Sequence, residues 1–183
     1  MTGEPDVRIR AYRLDDAPAV LEAARESLAE LQPWMPWCHP GYSLEESRSW
    51  LAGQVPAFQE RTAFEFAIVS PDGRYLGGCG LNQIDAGNGR ANLGYWVRSS
   101  ATRRGVATAA VTLLRDWGFR NTSLVRLEIV IAIGNVASYR VAEKSGADRE
   151  GILRSRLILH GIPHDATMFS FTRDTNAGLR SLA

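Results

Sequence analysis

Hydrophobic residues recur at two different spacings along the chain, and the spacing separates helices from strands. In residues 14–31 apolar side chains follow a pair of aspartates and a proline at intervals of three and four, which predicts an amphipathic helix. A second helix is predicted from Ser43, since Ser43 and Glu46 form a capping-box pattern, and Pro56 is expected to end or kink it. The intervening "QPWMPWCHPGY" predicts an irregular apolar loop.

Residues 64–97 carry apolar side chains at every second position, as half-buried strands do. The segments "FEFAIV", "YLGGCGLNQI" and "ANLGYWV" are separated by the turn sequences "SPDGR" and "DAGNGR". This arrangement predicts a three-stranded antiparallel meander. A shorter strand is predicted before the first helix, around Val7–Ala11.

Helices and strands alternate in the second half of the chain. A helix is predicted from Gly105 to Phe119, followed by "LVRLEIVIAI", whose continuous apolar run is typical of a strand buried on both faces. A short helix is expected between Asn135 as its N-cap and Gly146 as its C-terminal stop. Two strands, "GILRSRLIL" and "DATMFSFT", join through "HGIPH". The order predicts a mixed α/β domain.

Composition narrows the class of protein. With 183 residues, 45% of them hydrophobic, the chain is expected to form a single domain over residues 1–183, with its core at about 7–173. Lys and Arg total 21 against 20 Asp and Glu, which leaves no chain-wide basic face for direct binding of nucleic acid or membrane. No apolar run has the length of a signal peptide or bilayer span, so we expect a cytoplasmic protein.

The cysteines and histidines indicate neither a disulfide framework nor a metal site. Cys38 and Cys79 are too few for a disulfide framework and lack metal-site spacing, so they are interpreted as packing residues in a reducing compartment. The three histidines are separated and show no ligand pattern, and no metal site is predicted.

The heptapeptide "TRRGVAT" is the most informative local motif. The first N–H groups of a helix lack internal partners and carry the positive end of its dipole, so they favour an anion. Gly105 and Ala107 leave the backbone accessible, while Arg103 and Arg104 add positive charge suited to a pyrophosphate. The alternative is an ordinary turn with solvated arginines. P-loop, dinucleotide-fold, nucleophile-elbow and H-E-x-x-H motifs are all absent from the sequence.

Several motifs in order resemble a known family. "TRRGVA", "NVASYRVAEKSGA" and "REGILR" resemble the acetyl-CoA site of GNAT acyltransferases, and "LQPWMPWC", "GYWV" and a late His-Asp pair resemble the RimJ/RimL group, which acetylates N-terminal amines of ribosomal proteins. The resemblance implies a single-domain GNAT fold. That fold has a mostly antiparallel seven-stranded sheet, splayed at the acetyl-CoA site and flanked by about four helices.

The resemblance also implies which residues bind acetyl-CoA. The strand "GYWV" would separate from "LEIVIAI", and the pantetheine arm would run along the gap. The implied cofactor-binding residues are Trp96, Val97, Arg98, Arg103, Arg104, Gly105, Val106, Ala107, Thr108, Asn135 and Ser138.

Two positions depart from the family pattern and leave the catalytic groups open. Thr102 stands where the turn usually carries Gln or Arg, and Ala142 stands where many members carry a tyrosine acid. Ser138 is therefore the candidate acid. Glu128 is the candidate base, with a structural salt bridge to Arg126 as the competing interpretation. Alternative bases are Glu65, His164 and Asp165.

The acceptor is expected to be an amine. Candidate substrate-binding residues are Trp34, Trp37, Glu65, His164 and Asp165, with one tryptophan expected to pack and the other to line a cleft. An α-amine has a pKa of about 7.7–8.0 against about 10.4 for lysine, so a weak base suffices for it.

The sequence therefore predicts transfer of acetyl to a protein N-terminal α-amine, such as that of a ribosomal protein. A small-molecule amine (polyamine, amino acid or antibiotic) and a non-catalytic CoA-binding sensor are the alternatives. A homodimer is implied by the resemblance alone.

Overall fold

Seven strands form one continuous sheet in the computed structural model, which describes residues 5–173. Their spatial order is β1-β2-β3-β4-β5-β7-β6, and neighbours are antiparallel except for β4 and β5. The strands are β1 (Arg8–Ala11), β2 (Phe64–Val69), β3 (Tyr75–Asp85), β4 (Arg90–Val97), β5 (Arg126–Ala132), β6 (Asp148–Leu159) and β7 (Ile162–Thr172). The predicted meander and mostly antiparallel sheet are confirmed. A single domain over residues 1–183 stays a prediction.

Five α-helices accompany the sheet among the described residues, where about four were expected. They are α1 (Ala17–Glu26), α2 (Leu28–Leu31), α3 (Leu44–Gln59), α4 (Val106–Asn121) and α5 (Val136–Lys144). The difference arises at Ser27, which divides the predicted first helix into α1 and α2. Ser27 is fully buried, and its hydroxyl accepts a hydrogen bond from the Ser99 N–H at 2.9 Å.

The two sequence signals predicted for the ends of α3 have different outcomes. The capping box at Ser43 is present, because Ser43 Oγ accepts from the Glu46 N–H and the Glu46 carboxylate accepts from the Ser43 N–H. Pro56 does not end α3, which continues to Gln59. A proline removes one N–H, and the Pro56 carbonyl still accepts a hydrogen bond from Glu60.

Two apolar clusters cover the two faces of the sheet. One packs α4 against the sheet through residues such as Val111, Leu114 and Leu127, all fully buried. The other packs α1 and α3 against the opposite face through Val20, Leu51 and their neighbours. Alternation along β4 places Tyr95 on the first face and Trp96 on the second.

The sheet opens between β4 and β5. These parallel strands pair at three positions, Arg90 with Arg126, Ala91 with Leu127 and Asn92 with Glu128. Beyond Asn92, β4 stays paired with β3 while β5 stays paired with β7. A gap bounded by two strand edges results, as the predicted splay requires.

An ion-pair network holds the closed end of this gap. Arg126 Nε donates to Glu128 at 2.7 Å, and Arg90 Nη1 reaches the other oxygen of Glu128 at 3.4 Å. Arg126 also binds Glu150 through two hydrogen bonds of 2.6 and 2.5 Å. Together with the Ser170 hydroxyl, Arg126 lowers the pKa of the Glu150 carboxyl to about 2. Glu128 thus separates two arginines that are direct neighbours on adjacent strands.

We expect Glu128→Gln to lower the free energy of unfolding by about 1–3 kcal/mol, because two partly buried guanidinium groups lose their shared charged acceptor. Urea denaturation measures the loss. Glu143→Gln is the matched control, since Glu143 pairs with Arg140 on an exposed helix face, where about 0.5 kcal/mol or less is expected. Equal losses in the two variants would contradict a structural role for the network.

Candidate active site

Two neighbouring cavities meet at the open end of β4. The groove cavity, of about 550 Å³, occupies the gap between β4, α4 and α5. The aromatic cavity, of about 480 Å³, lies on the α1 and α3 side of the sheet. Met35, Tyr95 and Trp96 line both cavities. The two cavities therefore adjoin at these three side chains.

The groove cavity collects most of the residues predicted to bind the cofactor. Those that line it are Trp96, Val97, Arg103, Gly105, Val106, Ala107, Thr108, Asn135 and Ser138. Gly105 is the N-cap of α4 and has a φ of 78°, a conformation that favours glycine. The first N–H groups of α4 follow it without intrahelical acceptors.

Positive charge is concentrated in the groove cavity. Arg103, Arg140 and Lys144 line it, and Glu30 is the acidic residue among the lining side chains. Arg103 has a left-handed backbone with a φ of 61°, directly before the turn into α4. Together with the α4 N-terminus, these cations make this end of the cavity suited to a polyanion. Arg104, which was predicted to contribute, does not line the cavity.

Arg98 was predicted to contact the cofactor, and its side chain faces α1 and does not line the groove. Its guanidinium, in a residue 4% exposed, binds Glu26 and Glu22, and its backbone N–H donates to the Leu76 carbonyl at 2.8 Å. Arg98 lowers the pKa of the Glu26 carboxyl to about 2. Glu26 in turn accepts the Ser100 N–H at 2.8 Å, so this ion pair holds the turn that leads to α4.

The start of α5 forms the opposite wall of the groove. Asn135 caps the helix by accepting the Ser138 N–H at 3.1 Å, as predicted. The Tyr95 hydroxyl donates to the Ser138 carbonyl at 2.9 Å, which links β4 to α5 across the gap. Tyr139 packs against Phe169 at 5.1 Å between ring centroids, and Ala142 is fully buried. Neither supplies a hydroxyl to the groove.

Six tyrosine and tryptophan rings line the second cavity. The rings are Tyr12, Trp37, Tyr42, Trp50, Tyr95 and Trp96. Edge-to-face contacts fix several of them, with centroid separations of 4.9 Å for Tyr12 and Trp50 and 5.5 Å for Trp37 and Trp96. The wall is therefore largely preformed.

Two glycines of β3 make room for the polar groups of this cavity. A side chain at Gly78 would collide with the Tyr12 hydroxyl and the Trp96 indole, and one at Gly80 would collide with the Glu65 carboxylate. Glu65 lies opposite Gly80 in the β2–β3 pairing and accepts a hydrogen bond from Asn82 at 3.0 Å. Burial raises the pKa of the Glu65 carboxyl, and the Asn82 amide partly offsets that rise.

The two predicted acceptor-loop tryptophans are divided between the cavities. Trp34 lines the groove and lies close to Gly134, whereas Trp37 lines the aromatic cavity and is 39% exposed. The loop that carries them is tethered at its start, because the His160 ring bonds to the Gln32 carbonyl at 2.7 Å. His160 lies at the tip of the β6–β7 hairpin, so this hairpin supports the loop.

Besides Arg98 and Arg104, three further predicted site residues lie outside both cavities. Glu128 is engaged by Arg126 and Arg90 at the closed end of the gap, which favours the salt-bridge interpretation over the catalytic one. Asp165 accepts the Ser155 N–H at 2.8 Å and so stabilises an irregularity in β6. His164 lies opposite Leu157 in the β6–β7 hairpin.

A family comparison agrees with this geometry. Residues 6–148 match the family model described as acetyltransferase (GNAT) domain. The chain belongs to the GNAT acetyltransferase family.

Several individual proteins are also similar to this GNAT acetyltransferase. It is 27% identical to YdaF of Bacillus subtilis over 170 residues, covering 91% of each chain. It is also 27% identical to the ribosomal-protein-serine acetyltransferase of Escherichia coli over 140 residues, covering 76% of this chain and 78% of the relative. The solved structure of RimL, a ribosomal L7/L12 α-N-protein acetyltransferase, in complex with coenzyme A superposes with a TM-score of 0.85. That pair is 25% identical, with coverage of 92% and 95%.

The acetyltransferase contains site residues that sequence reasoning missed. Tyr12, Trp50 and Asn82 line the aromatic cavity, and Arg140 and Lys144 line the groove. Their sequence signal is weak, because each also fits a packed or solvated face of its own element. Tyr95 was within the quoted "GYWV" motif, but its contact with Ser138 depends on the opening of the sheet.

Metal and membrane features are absent from the part of the acetyltransferase that the structure describes. Within residues 5–173 no group of three or more His, Cys, Asp or Glu side chains could hold a metal ion. In the same range no helix combines the length and apolar character needed to cross a membrane. Cys38 and Cys79 are both buried as free thiols.

Proposed function

We propose that the chain transfers an acetyl group from acetyl-CoA to a primary amine, foremost the N-terminal α-amine of a protein such as a ribosomal protein. One observation carries the proposal. A groove lined by three cations meets, at Tyr95 and Trp96, an aromatic cavity that contains the half-buried carboxylate of Glu65. The two cavities suit the donor and the acceptor of an acyl transfer.

The donor would lie in the groove cavity. The N–H groups at the start of α4 and the Arg103 guanidinium would hold its diphosphate, because both favour anions. The edge of β4 beyond Asn92 has no β5 partner, so its backbone is available to the pantetheine arm. This path would bring the thioester to the end of the groove at Tyr95 and Ser138, where the aromatic cavity begins.

Glu65 is assigned as the proton acceptor in place of Glu128. Its carboxylate lines the aromatic cavity, and the ion-pairing partners of Glu128 are absent there. Attack on a thioester requires a neutral amine, and a carboxylate whose pKa is raised is a stronger base than one with its ordinary pKa. An α-amine needs little help, since its pKa is about 2 to 3 units below that of lysine.

Ser138 is retained as the group that meets the leaving thiolate. Its hydroxyl makes no hydrogen bond to the protein within residues 5–173, and the residue lines the groove beside Tyr95. The capped first turn of α5 fixes its position. A free hydroxyl at this point can donate a hydrogen bond, or relay a proton through water, as the thiolate leaves.

An assay of thiol release from acetyl-CoA tests the function. A panel of ribosomal N-terminal peptides is compared with a panel of small amines, since a cavity of about 480 Å³ also suits a small-molecule acceptor. We expect turnover with peptides. Turnover with small amines alone would select the small-molecule alternative. Tight CoA binding without turnover of any amine would overturn the enzymatic proposal and favour a CoA sensor.

We expect Arg103→Ala to weaken coenzyme A binding about ten- to hundredfold in calorimetry, because a charge-assisted contact to phosphate is lost. Arg104→Ala is the matched control. It removes the same charge one residue further on, outside the groove, and should weaken binding less. Equal effects would contradict a direct role of Arg103.

We expect Glu65→Gln to lower kcat/KM for the amine by about 10²–10⁴ while leaving coenzyme A binding unchanged, because only the proton acceptor is lost. In the wild type kcat/KM should fall as pH falls through the raised pKa of Glu65, and the variant should lose this acidic limb.

Two further variants serve as a second test of the role of Glu65 and as its control. Gly80→Ala should also reduce turnover, since the added methyl displaces the Glu65 carboxylate. Glu45→Gln, on an exposed position of α3, should change nothing. An unaltered acidic limb in Glu65→Gln would remove Glu65 from the mechanism.

A further inference from the structure

We propose that the aromatic cavity selects acceptors whose primary amine is attached to an uncharged apolar or aromatic body. That body is either the first side chain of a peptide or the skeleton of a small monoamine. This inference rests on the proposed function and specifies its acceptor. It is carried by the rings, the charges and the size of the cavity.

The rings present apolar surface that the protein itself leaves uncovered. Trp37 and Trp50 are 39% and 40% exposed although both line the cavity. Trp37 is held by Trp96 and Tyr42 at centroid separations of 5.5 and 5.4 Å, and Trp50 is held by Tyr12. An apolar group entering between them would bury ring surface without reordering it.

Charge in the cavity favours one ammonium and disfavours an acid. Among the described residues that line it there is no lysine or arginine, and the carboxylate and imidazole side chains are Glu65, Glu46 and His39. One oxygen of Glu65 accepts from Asn82, and the other accepts no hydrogen bond within residues 5–173. An acceptor's ammonium group can donate a hydrogen bond to that oxygen before the ammonium loses its proton. A carboxylate on the acceptor would find no counter-ion.

Glu46 does not provide a second free site for a cation. One of its oxygens bonds to the His39 ring at 2.9 Å, and the other accepts both the N–H and the hydroxyl of Ser43. These contacts belong to the cap of α3. A second ammonium would have to break them, so the cavity favours a monoamine over a diamine.

The cavity is larger than an amine alone requires. Its volume of about 480 Å³ lies in the range of sites that enclose a drug-sized ligand. A serine or alanine beside the amine would leave the faces of Trp37 and Trp50 uncovered. An aromatic or long aliphatic group would cover them.

The test compares peptides that differ only in their first residue, which is Phe, Met, Ser or Asp. Phenethylamine and 1,4-diaminobutane represent small monoamines and diamines. We expect kcat/KM for the Phe and Met peptides to exceed that of the Ser peptide by about ten- to hundredfold, with the Asp peptide below Ser. Phenethylamine should exceed 1,4-diaminobutane. Turnover of phenethylamine without any peptide would support the inference and identify the source as a small molecule.

Variants at Trp37 connect the preference to the cavity. Trp37→Ala should bring the Phe-to-Ser ratio of kcat/KM close to one, whereas Trp37→Phe should keep most of it because a ring remains. The KM for acetyl-CoA serves as the control for folding. A Ser peptide equal to or better than Phe, or an unchanged ratio in Trp37→Ala, would overturn the inference.

Failure of the proposed function is distinguishable from failure of this inference. If no amine is turned over, the protein loaded with coenzyme A is titrated calorimetrically with the Phe and Ser peptides. Tighter binding of the Phe peptide would support the selection by the cavity even without turnover. Equal binding, or none, would overturn it.

Discussion

The separation of β4 from β5 is the constraint on which the rest of the structure depends. Two adjacent parallel strands normally satisfy each other's backbone groups, and here the pairing stops after Asn92 and Glu128. Glu128 sits between Arg90 and Arg126 at the closed end, and the Tyr95–Ser138 hydrogen bond spans the open end. The gap is thus held at both ends at a defined width. The groove cavity, which residues at the N-termini of α4 and α5 line, is a consequence of this opening.

Charge is divided between the two cavities in a way that suits their neighbouring roles. The groove holds Arg103, Arg140 and Lys144, while the aromatic cavity holds carboxylates and no lysine or arginine among its described lining residues. A polyanion is therefore attracted to one side of Tyr95 and Trp96, and a cation to the other. Within residues 5–173 none of the groove cations forms an ion pair with Glu65 or Glu46.

The sequence was sufficient for the elements and for most of the groove, because those depend on local patterns. Alternation in residues 64–97 determined the meander, and Gly105 indicated the turn into α4. The break at Ser27 was not predictable from local pattern, because it follows from a hydrogen bond to Ser99, far along the chain. The direction of the Arg98 side chain was not predictable for the same reason, since its partners Glu22 and Glu26 lie on α1.

The aromatic cavity was less predictable than the groove cavity. Glu65 was one of several candidate bases, and only the pairing of β2 with β3 brings it over Gly80 and beside Asn82. Glu128 was the first candidate base in the sequence, where it lies within a long apolar strand. The structure pairs it instead with arginines from β4 and from its own strand. Non-local pairing decides which carboxylate faces a cavity.

The hydrogen bond between His160 and Gln32 has a consequence for how this architecture diversifies. Because the hairpin tip anchors the segment bearing Trp34 and Trp37, those two parts of the surface form one mechanical unit although they are far apart in sequence. Grafting that segment alone onto another scaffold would transfer its rings without their anchor. Changes of acceptor preference by recombination would need to exchange both pieces together.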